Sequence, residues 1–198
     1  MADDGEAKEL KIILLGESGV GKTCIINRYV NNEFVSESSS TLGCYSNKKE
    51  ITKNKDKYII DIWDTTGQEK YHSVTNLFIK GSDAIILVYS IDSRNSFDGL
   101  DYWYNSVQEK LEERNYILAV VGSKSDLTDN EEVSEEEGMK YAEGKNAIFK
   151  LVSAKEDAKG IESLFDEILN NYIASYRRNQ APSFSISSTQ RVKKKKCC

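Results

Sequence analysis

The sequence predicts an α/β fold in which a mostly parallel six-stranded sheet lies between helices on both faces, with one antiparallel edge strand. Apolar runs of strand length alternate with helical segments, and such strands connect through right-handed crossovers into a three-layer sheet. Two strand-like segments near residue 55 are separated by a short polar turn, which predicts a hairpin. A glycine-rich stretch follows the first apolar run, as expected of a ligand loop at the carboxyl end of a strand.

The first third of the chain predicts a strand, a helix and the hairpin. Residues 10–15 are an apolar strand, and Lys22–Asn31 is a helix. The polar, serine-rich residues 32–41 have neither helical nor strand periodicity, so we expect a mobile surface loop. Residues 45–52 and 57–63 form the two hairpin strands around the turn at 54–56.

The remainder alternates strands and helices. Residues 65–81 are polar and predict no element, whereas the apolar run 84–91 predicts a central strand buried on both faces. We then expect a helix over 96–114 capped by Ser96, a strand over 116–122, a helix capped by Ser134, a strand over 147–152 and a last helix with apolar residues from 161 to 173.

Charge separates an acidic body from a basic tail. The 198 residues suit a single domain, and 39% hydrophobic content can fill one core. The formal net charge is -5, but the tail 177–198 carries +7 and residues 1–176 carry -12. An acidic body argues against nucleic-acid binding, and a basic end without interleaved aromatic residues indicates an anionic membrane surface.

Cysteine usage indicates a reduced compartment. The four cysteines, at positions 24, 44, 197 and 198, do not have metal-site spacing. The sequence shows no signal peptide and no apolar run of about 18 residues. We therefore expect a cytosolic chain without a disulfide framework.

The stretch from Gly16 to Thr23, GESGVGKT, fits the phosphate-binding loop pattern G-x-x-x-x-G-K-[ST] between a strand and a helix. The glycines turn backbone N–H groups onto phosphate, the helix offers its positive end, and lysine and threonine add a charge and a Mg²⁺-binding hydroxyl. The alternative is a glycine-rich turn that binds nothing. The pattern does not name the base, because ATPases, kinases and GTPases all use it. The expected contacts are Ser18, Gly19, Val20, Gly21, Lys22, Thr23 and Cys24.

A second motif, Asp64-Thr65-Thr66-Gly67-Gln68, directly follows a predicted strand. There Asp64 can reach the Mg²⁺ shell held by Thr23, Gly67 can offer its N–H to a γ-phosphate, and Gln68 can orient water. Set about 40 residues after the phosphate-binding loop, this arrangement resembles the small GTPases of the Ras superfamily.

The resemblance implies a guanine-binding half. Ser123-Lys124-Ser125-Asp126 resembles the family motif N-K-x-D, in which the lysine packs along the base and the aspartate accepts from guanine N1 and N2. Ser153-Ala154-Lys155 resembles the motif S-A-K, whose alanine N–H meets guanine O6. Phe34 falls where the family places an aromatic against the base. Thr41 falls where a threonine closes over Mg²⁺, so the implied metal set is Thr23, Thr41 and Asp64.

Further residues narrow the resemblance to the Rab family, namely Trp63, the run 70–75, Phe78, the run 87–89 and the paired Cys197 and Cys198. The resemblance covers residues 8–176 as a small GTPase domain (G-domain). Residues 177–198 are then a disordered, hypervariable basic tail whose two cysteines would each carry a geranylgeranyl group. Taken alone, Trp63 and Phe78 are equally open to a simple core role.

Three positions depart from the family pattern. Ser123 replaces asparagine, and its shorter side chain should not reach both the phosphate-binding loop and the base. Thr66 replaces alanine and places a hydroxyl near the expected γ-phosphate, while Ser46 stands where an effector-binding phenylalanine is usual.

The resemblance implies a monomeric GTP-binding and GTP-hydrolysing switch of vesicle and membrane trafficking, cycling between cytosol and the cytoplasmic face of an intracellular membrane. Hydrolysis would be slow without an arginine from a GTPase-activating protein. The other implied partners are an exchange factor, effectors, a prenyl chaperone and a GDP-dissociation inhibitor. One alternative is a nucleotide-binding interaction module with weak or no hydrolysis. Another, an ATP-dependent kinase, is disfavoured because Asp126 suits guanine.

Overall fold

A computed structural model describes residues 7–35, 41, 43–68, 72–111 and 115–180, with the backbone alone for 72–75 and 177–180. Its sheet has six strands in the order β2-β3-β1-β4-β5-β6. The strands are β1 (Lys8–Leu15), β2 (Cys44–Lys53), β3 (Asp56–Thr65), β4 (Ala84–Ser90), β5 (Ile117–Ser123) and β6 (Ile148–Leu151). All neighbouring pairs are parallel except β2 with β3, which confirms the predicted α/β sheet with one antiparallel edge strand.

The described residues contain six helices, of which five lie between strands and the last follows β6. They are α1 (Lys22–Asn31), α2 (His72–Ile79), α3 (Arg94–Asp98), α4 (Leu100–Leu111), α5 (Glu135–Glu143) and α6 (Ala158–Gln180), and a 3-10 turn lies at Thr128–Asn130. In the described part of the chain, no helix is both long and apolar enough to span a bilayer.

The central strands carry buried apolar residues on both sides because both faces of the sheet are covered. On β1, Ile12 and Leu14 belong to the core shared with α1 and α6, while Ile13 and Leu15 belong to the core on the opposite face. The alternation follows from the two-residue repeat of a strand. Every residue of β4 is buried in the same way.

The hairpin turn has the geometry that the sequence favours. Lys53 pairs with Asp56, which leaves Asn54 and Lys55 as the two loop residues. Both have positive φ, 54° and 72°. Two consecutive left-handed residues make a type I′ turn, whose twist matches that of the flanking antiparallel strands.

Two helix predictions need correction. The region 65–81 contains α2, which we did not predict because we treated the whole region as polar, although four of the eight α2 residues (HSVTNLFI) are apolar. The helix predicted over 96–114 is instead two helices, and the cap of the first is Ser93, whose hydroxyl accepts from Ser96 N. The Ser96 hydroxyl is buried and accepts from Ser90 N at 3.0 Å, so it anchors α3 to the end of β4. Residues 112–114 lie outside the part of the chain that the structure describes.

The predicted cap of α5 is confirmed. Ser134 accepts from Glu137 N and Glu137 reaches back to Ser134 N, which forms a capping box. At the end of the chain, α6 runs to Gln180, so the backbone of 177–180, which we assigned to the tail, continues the helix. Residues 181–198, with Cys197 and Cys198, lie outside the described residues, as do 36–40 and 69–71.

Candidate nucleotide-binding site

A pocket of about 580 Å³ opens at the carboxyl ends of the parallel strands, where an α/β sheet places its ligand loops. It is lined by Ser18, Gly19, Gly21, Lys22, Thr23, Cys24, Ile25, Phe34, Thr41, Thr65, Thr66, Gly67, Ser123, Lys124, Asp126, Leu127, Ala154 and Lys155. Val20 and Ser153 are buried and, like Asp64 and Gln68, are not among the lining residues. Predicted residues from six separate stretches of the sequence thus meet around one cavity.

Glycine is required where the phosphate-binding loop leaves β1. Gly16 has φ of 149°, and a Cβ there would lie 2.1 Å from the Val88 carbonyl oxygen. The loop therefore packs directly on β4 with no room for a side chain. Its last glycine, Gly21, is left-handed and precedes α1, so the first N–H groups of that helix face the pocket region.

Lys22 is held in place by the loop that it follows. Its Nζ donates to Gly16 O at 2.7 Å and to Glu17 O at 2.8 Å, which leaves one of three ammonium donors for a ligand. Only 5% of the residue is exposed. Burial lowers the pKa of Lys22 to about 8, against the opposing charges of Asp64 and Glu17. An anionic ligand would favour its charged form.

Three oxygen-bearing side chains predicted to bind metal meet beside Lys22. Thr23 Oγ1 donates to Asp64 Oδ2 at 2.8 Å and lies 3.0 Å from Thr41 Oγ1. Thr41 Oγ1 is 3.3 Å from the same carboxylate oxygen. Among the described residues, the second oxygen of Asp64, Oδ1, is buried and has no hydrogen-bond partner. Burial raises the pKa of Asp64, opposed by Thr23 and Lys22.

This donor set fits Mg²⁺. Hydroxyl and carboxylate oxygens are the ligands that a small, hard cation prefers, and Mg²⁺ sites in nucleotide-binding proteins use few protein ligands. The unpartnered Oδ1 supplies an independent sign of fit, because a buried carboxylate oxygen without a donor is costly unless a cation completes it.

The segment after β3 packs tightly on the phosphate-binding loop. A Cβ on Gly67 would lie 2.2 Å from the Glu17 carbonyl carbon, so only glycine allows this approach. Thr66 is 2% exposed and lies on the pocket wall. Its hydroxyl accepts from Gln68 N at 3.3 Å, a bond that alanine at this position would lack.

On the other side of the pocket, Asp126 is oriented by the loop after β6. Ser153 Oγ donates to Asp126 Oδ1 at 2.6 Å and accepts from Glu156 N at 3.0 Å. Lys155 Nζ lies 3.9 Å from the other carboxylate oxygen. Lys124 is left-handed, and its ammonium pairs with Asp92 at 3.6 Å. The carboxylate is therefore fixed at the pocket wall.

Ser123 reaches the phosphate-binding loop despite its short side chain, and the expectation that it does not also reach the base stays a prediction. The Ser123 hydroxyl, 2% exposed, is 2.5 Å from Val20 O and 2.8 Å from Tyr89 O. The short side chain reaches because Ser123 is the last residue of β5 and lies beside the end of β4 in register with Ser90. The hydroxyl points to backbone carbonyls.

Sequence reasoning missed Arg28, near the end of α1. Its Nε donates to Ala154 O at 2.7 Å, and its terminal nitrogens donate to Lys155 O at 3.3 Å and to Asn32 O at 3.0 Å. One guanidinium thus joins the loop after β6 to the chain leaving α1. No local signal distinguishes this arginine from any other on a helix, because its partners are 126 and 127 residues away.

The remaining predicted residues lie at the rim. Phe34 is 37% exposed and lines the pocket, and Cys24 Sγ donates to Val35 O. Away from the pocket, the exposed Ser46 donates to Asp61, whose other oxygen accepts from Trp63 Nε1 at 2.9 Å. The ring of Trp63 packs on Phe78 with centroids 5.2 Å apart.

Comparisons with known proteins agree with this geometry. The model of the Ras family matches residues 11–174. The chain is 35% identical to Ras-related protein Rab-11B of Dictyostelium discoideum over 90% of this chain and 80% of that protein. It is 38% identical to Ras-related protein Rab-31 of Mus musculus over 81% of this chain and 82% of that protein.

A third relative, Ras-related protein Rab-17 of Mus musculus, is 30% identical over 98% of this chain and 92% of that protein. These matches give no support to the alternative of an interaction module that has lost hydrolysis. The fold, the pocket and the relatives together show that this chain belongs to the Rab branch of the Ras family of small GTPases.

Proposed function

We propose that this protein is a Mg²⁺-dependent GTP-binding and GTP-hydrolysing switch in vesicle and membrane trafficking. The observation that carries the proposal is that Lys22, Thr23 and Gly67 line one side of a single pocket while Asp126 and Ala154 line the other. A nucleotide needs a phosphate site and a base site at a fixed separation, and this pocket has candidates for both.

The phosphates would lie against the loop 16–21 and the start of α1. Backbone N–H groups there, the positive helix end and the remaining Lys22 donor would bind their oxygens. Thr23, Thr41 and Asp64 would hold Mg²⁺, which supplies positive charge to the β- and γ-phosphates.

The base would be chosen by Asp126. Its carboxylate oxygens accept hydrogen bonds, and guanine presents donors at N1 and N2 where adenine has none. Ser153 and Lys155 contact this carboxylate and keep it at the pocket wall. Ala154 N–H would meet guanine O6, with Lys124 and Phe34 along the faces of the base.

Hydrolysis would depend on Gln68 orienting water. The Thr66 hydroxyl fixes the Gln68 backbone N–H, so it sets where that side chain begins. No arginine is among the residues that line the described pocket. We therefore infer a slow intrinsic rate and a GTPase-activating protein that supplies the arginine.

The switch itself would be the ordering of Thr41 and Gly67 by GTP and Mg²⁺, and effectors would bind that ordered state. An exchange factor would reset it. Geranylgeranyl groups on Cys197 and Cys198 would attach the monomer to the cytoplasmic face of a membrane. A prenyl chaperone would assist their attachment, and a GDP-dissociation inhibitor would return the protein to the cytosol.

The first test is the identity of the nucleotide that the protein carries. Chain purified in Mg²⁺ is denatured, and the released nucleotide is separated by chromatography. Bound GDP or GTP supports the proposal, whereas ATP or an empty pocket with no measurable affinity for GDP contradicts it. Asp126→Asn is the matched variant, because an amide offers only one acceptor and should lose preference for guanine.

Hydrolysis is tested separately, in single-turnover assays of GTP loss. Gln68→Leu should be slower than the wild type, because it removes the group that orients water. If the two are equally slow, Thr66→Ala shows whether the threonine has disabled the site. If Thr66→Ala also restores no activity and an added GTPase-activating protein has no effect, we would conclude that the protein binds GTP without hydrolysing it.

A further inference from the structure

The phosphate-binding loop carries one carboxylate, that of Glu17. In the stretch GESGVGKT the charged residues are Glu17 and Lys22. A carboxylate is unexpected in a loop that binds an anion, because two like charges repel each other strongly over the short distances within a site. The position of the Glu17 side chain in the fold therefore needs a physical reason.

The Glu17 side chain lies on the junction between α3 and α4. Its Oε1 accepts a hydrogen bond from Trp103 Nε1, in the first turns of α4, at 3.3 Å. Gly99 lies between the two helices, and a Cβ there would be 3.0 Å from the same oxygen, so glycine leaves room for the carboxylate. Ser18, the next residue of the loop, lines the described pocket, whereas Glu17 is not among its lining residues. The loop thus places its backbone at the pocket and its acidic side chain outside.

Trp103 is a donor whose position is fixed by the core. It is 0% exposed and belongs to the same buried cluster as Ile13 and Leu15 of β1. Close packing on all sides holds such a ring in one orientation. An indole N–H can only donate, and a buried donor is costly without an acceptor, which the Glu17 carboxylate supplies. The bond therefore satisfies a buried donor and holds the carboxylate of a long side chain in one place.

The backbone of Glu17 contacts both groups that would meet the terminal phosphates. Lys22 Nζ donates to Glu17 O at 2.8 Å, and a Cβ on Gly67 would lie 2.2 Å from the Glu17 carbonyl carbon. In the proposed function, Lys22 and Gly67 bind the β- and γ-phosphates. The Glu17 side chain begins between them, so a carboxylate released from Trp103 is free to take rotamers that bring its charge nearer to the γ-phosphate.

A released carboxylate would oppose GTP more than GDP. GTP has one more phosphoryl group than GDP, and the added negative charge lies at the end of the polyphosphate that Gly67 would meet. Repulsion between two charges increases as the distance between them falls, so the terminal phosphate would experience most of it. The affinity for GTP relative to GDP therefore reports where the Glu17 carboxylate lies.

We propose that Trp103 is a positioning residue for GTP: its indole N–H holds the Glu17 carboxylate at the junction of α3 and α4, where the charge does not oppose the γ-phosphate. This rests on the proposed binding of GTP. It gives a core tryptophan, which is not among the residues that line the described pocket, a role in the choice between the two nucleotides.

The test measures the affinities of the full chain for GDP and for a non-hydrolysable GTP analogue in Mg²⁺, by competition with a fluorescent GDP analogue. Trp103→Phe removes the N–H and keeps an aromatic ring, and it should weaken the GTP analogue about fivefold relative to GDP. Adding Glu17→Gln to Trp103→Phe should restore the wild-type ratio, because a released amide carries no charge. Glu17→Gln alone keeps an acceptor for the indole and should change the ratio by less than about twofold.

Tyr141→Phe is the matched control. Tyr141 OH donates to Asp101 of α4 at 2.9 Å, so this variant also removes an aromatic donor from a carboxylate, and neither residue is among those that line the described pocket. Its ratio should equal that of the wild type. If Trp103→Phe does not fold, 3-benzothienylalanine at position 103 replaces the N–H by sulfur in a ring of similar size and should give the same change. The change should shrink at high salt, because ions screen repulsion between charges.

An unchanged ratio in the tryptophan replacement that folds would overturn the proposal. A changed ratio that Glu17→Gln does not reverse, or that Tyr141→Phe reproduces, would also overturn it, because loosened packing would then be the cause. A large gain for the GTP analogue in Glu17→Gln alone would overturn it by showing that the carboxylate already opposes the γ-phosphate. A wild-type chain that binds neither nucleotide would overturn the proposed function as well, whereas tight GDP binding with an unchanged ratio overturns this inference alone.

Discussion

The pocket has a phosphate wall, in residues 16–23 and 64–67, and a base wall, in residues 123–126 and 153–157. The two walls differ in how fully their polar groups are hydrogen-bonded within the protein. On the base side, Asp126 is bonded to Ser153, Ser123 to Val20 O, and the Ala154 carbonyl to Arg28. On the phosphate side, Lys22 donates to two carbonyls and Asp64 accepts from Thr23, yet burial still lowers the pKa of Lys22 and raises the pKa of Asp64.

The difference indicates which wall is complete without a ligand. A buried charge costs free energy unless a partner compensates it, and Asp64 Oδ1 has no hydrogen-bond partner among the described residues. The base wall is therefore preformed by internal hydrogen bonds. The phosphate wall is destabilised in the free chain, and phosphate and Mg²⁺ remove that cost on binding. Substitutions on the two walls should then act in different ways.

The largest effect is expected for Asp64→Asn. The amide removes a buried charge whose desolvation outweighs its contacts with Thr23 and Thr41 and the charge of Lys22, so the nucleotide-free chain should gain about 1 kcal/mol in its free energy of unfolding. The same change removes a charged metal ligand, and the Mg²⁺ affinity of the GDP complex should fall by about 10- to 100-fold. Urea denaturation and the Mg²⁺ dependence of GDP release measure the two quantities.

Asp61→Asn is the matched control, on the same strand. Asp61 is 8% exposed and both its oxygens already accept, from Ser46 and from Trp63 Nε1. We expect this variant to lose stability and to keep its Mg²⁺ dependence. If both variants lose stability alike, the phosphate wall is no less complete than the rest of the strand.

The base wall is tested next by Arg28→Gln. The shorter, neutral amide should lose the bonds to Ala154 O and Lys155 O, at a cost of about 1.5 kcal/mol, or about tenfold faster GDP release. Release of a fluorescent GDP analogue measures it. Arg94→Gln is the control arginine, because Arg94 bonds Glu132 O and the Glu137 carboxylate, and none of these residues lines the pocket. Equal acceleration in both would contradict a specific role for Arg28.

A smaller effect of the same kind is expected for Ser123→Ala. Loss of the hydroxyl that meets Val20 O and Tyr89 O should cost about 1 kcal/mol and speed GDP release about fivefold. Ser106→Ala removes another buried hydroxyl, which donates to Tyr102 O within its own helix. That control should lower stability without altering release, and faster release from Ser106→Ala would show that general loosening explains both.

The smallest effect is expected for Tyr89→Phe, which tests whether a buried group without a hydrogen-bond partner must belong to the binding site. Tyr89 OH is also buried without a partner among the described residues, but it packs against Gly122 and Gly138 inside the core. Tyr89→Phe should raise the free energy of unfolding by about 1 kcal/mol and leave GDP release unchanged. Thermal unfolding with and without GDP checks both, and a changed release rate would contradict the distinction.

Local sequence patterns predicted the parts of this fold that local physics determines. The helix Lys22–Asn31 matched its prediction at both ends, because a left-handed glycine precedes it and the left-handed Asn32 follows it. The Ser134 capping box and the buried run of β4 were equally readable. The pocket residues could be proposed because the motifs directly follow strands, and parallel strands bring their carboxyl ends together.

The features that sequence reasoning missed depend on tertiary contact. The reach of Ser123 follows from the register of β4 with β5, and the bonds of Arg28 follow from the approach of α1 to a loop near residue 154. Ser93 rather than Ser96 caps α3, because the Ser96 hydroxyl is buried against Ser90. In each case the sequence shows the type of side chain but does not show which group that side chain contacts.

Hydrogen exchange of the nucleotide-free chain, compared with its complex with GDP and Mg²⁺, tests most directly whether the phosphate wall is the one that the ligand completes. Our account predicts that protection rises most at 16–23 and 64–67 and much less at 123–126 and 153–157, where internal bonds already exist. A larger rise on the base side than on the phosphate side would contradict it.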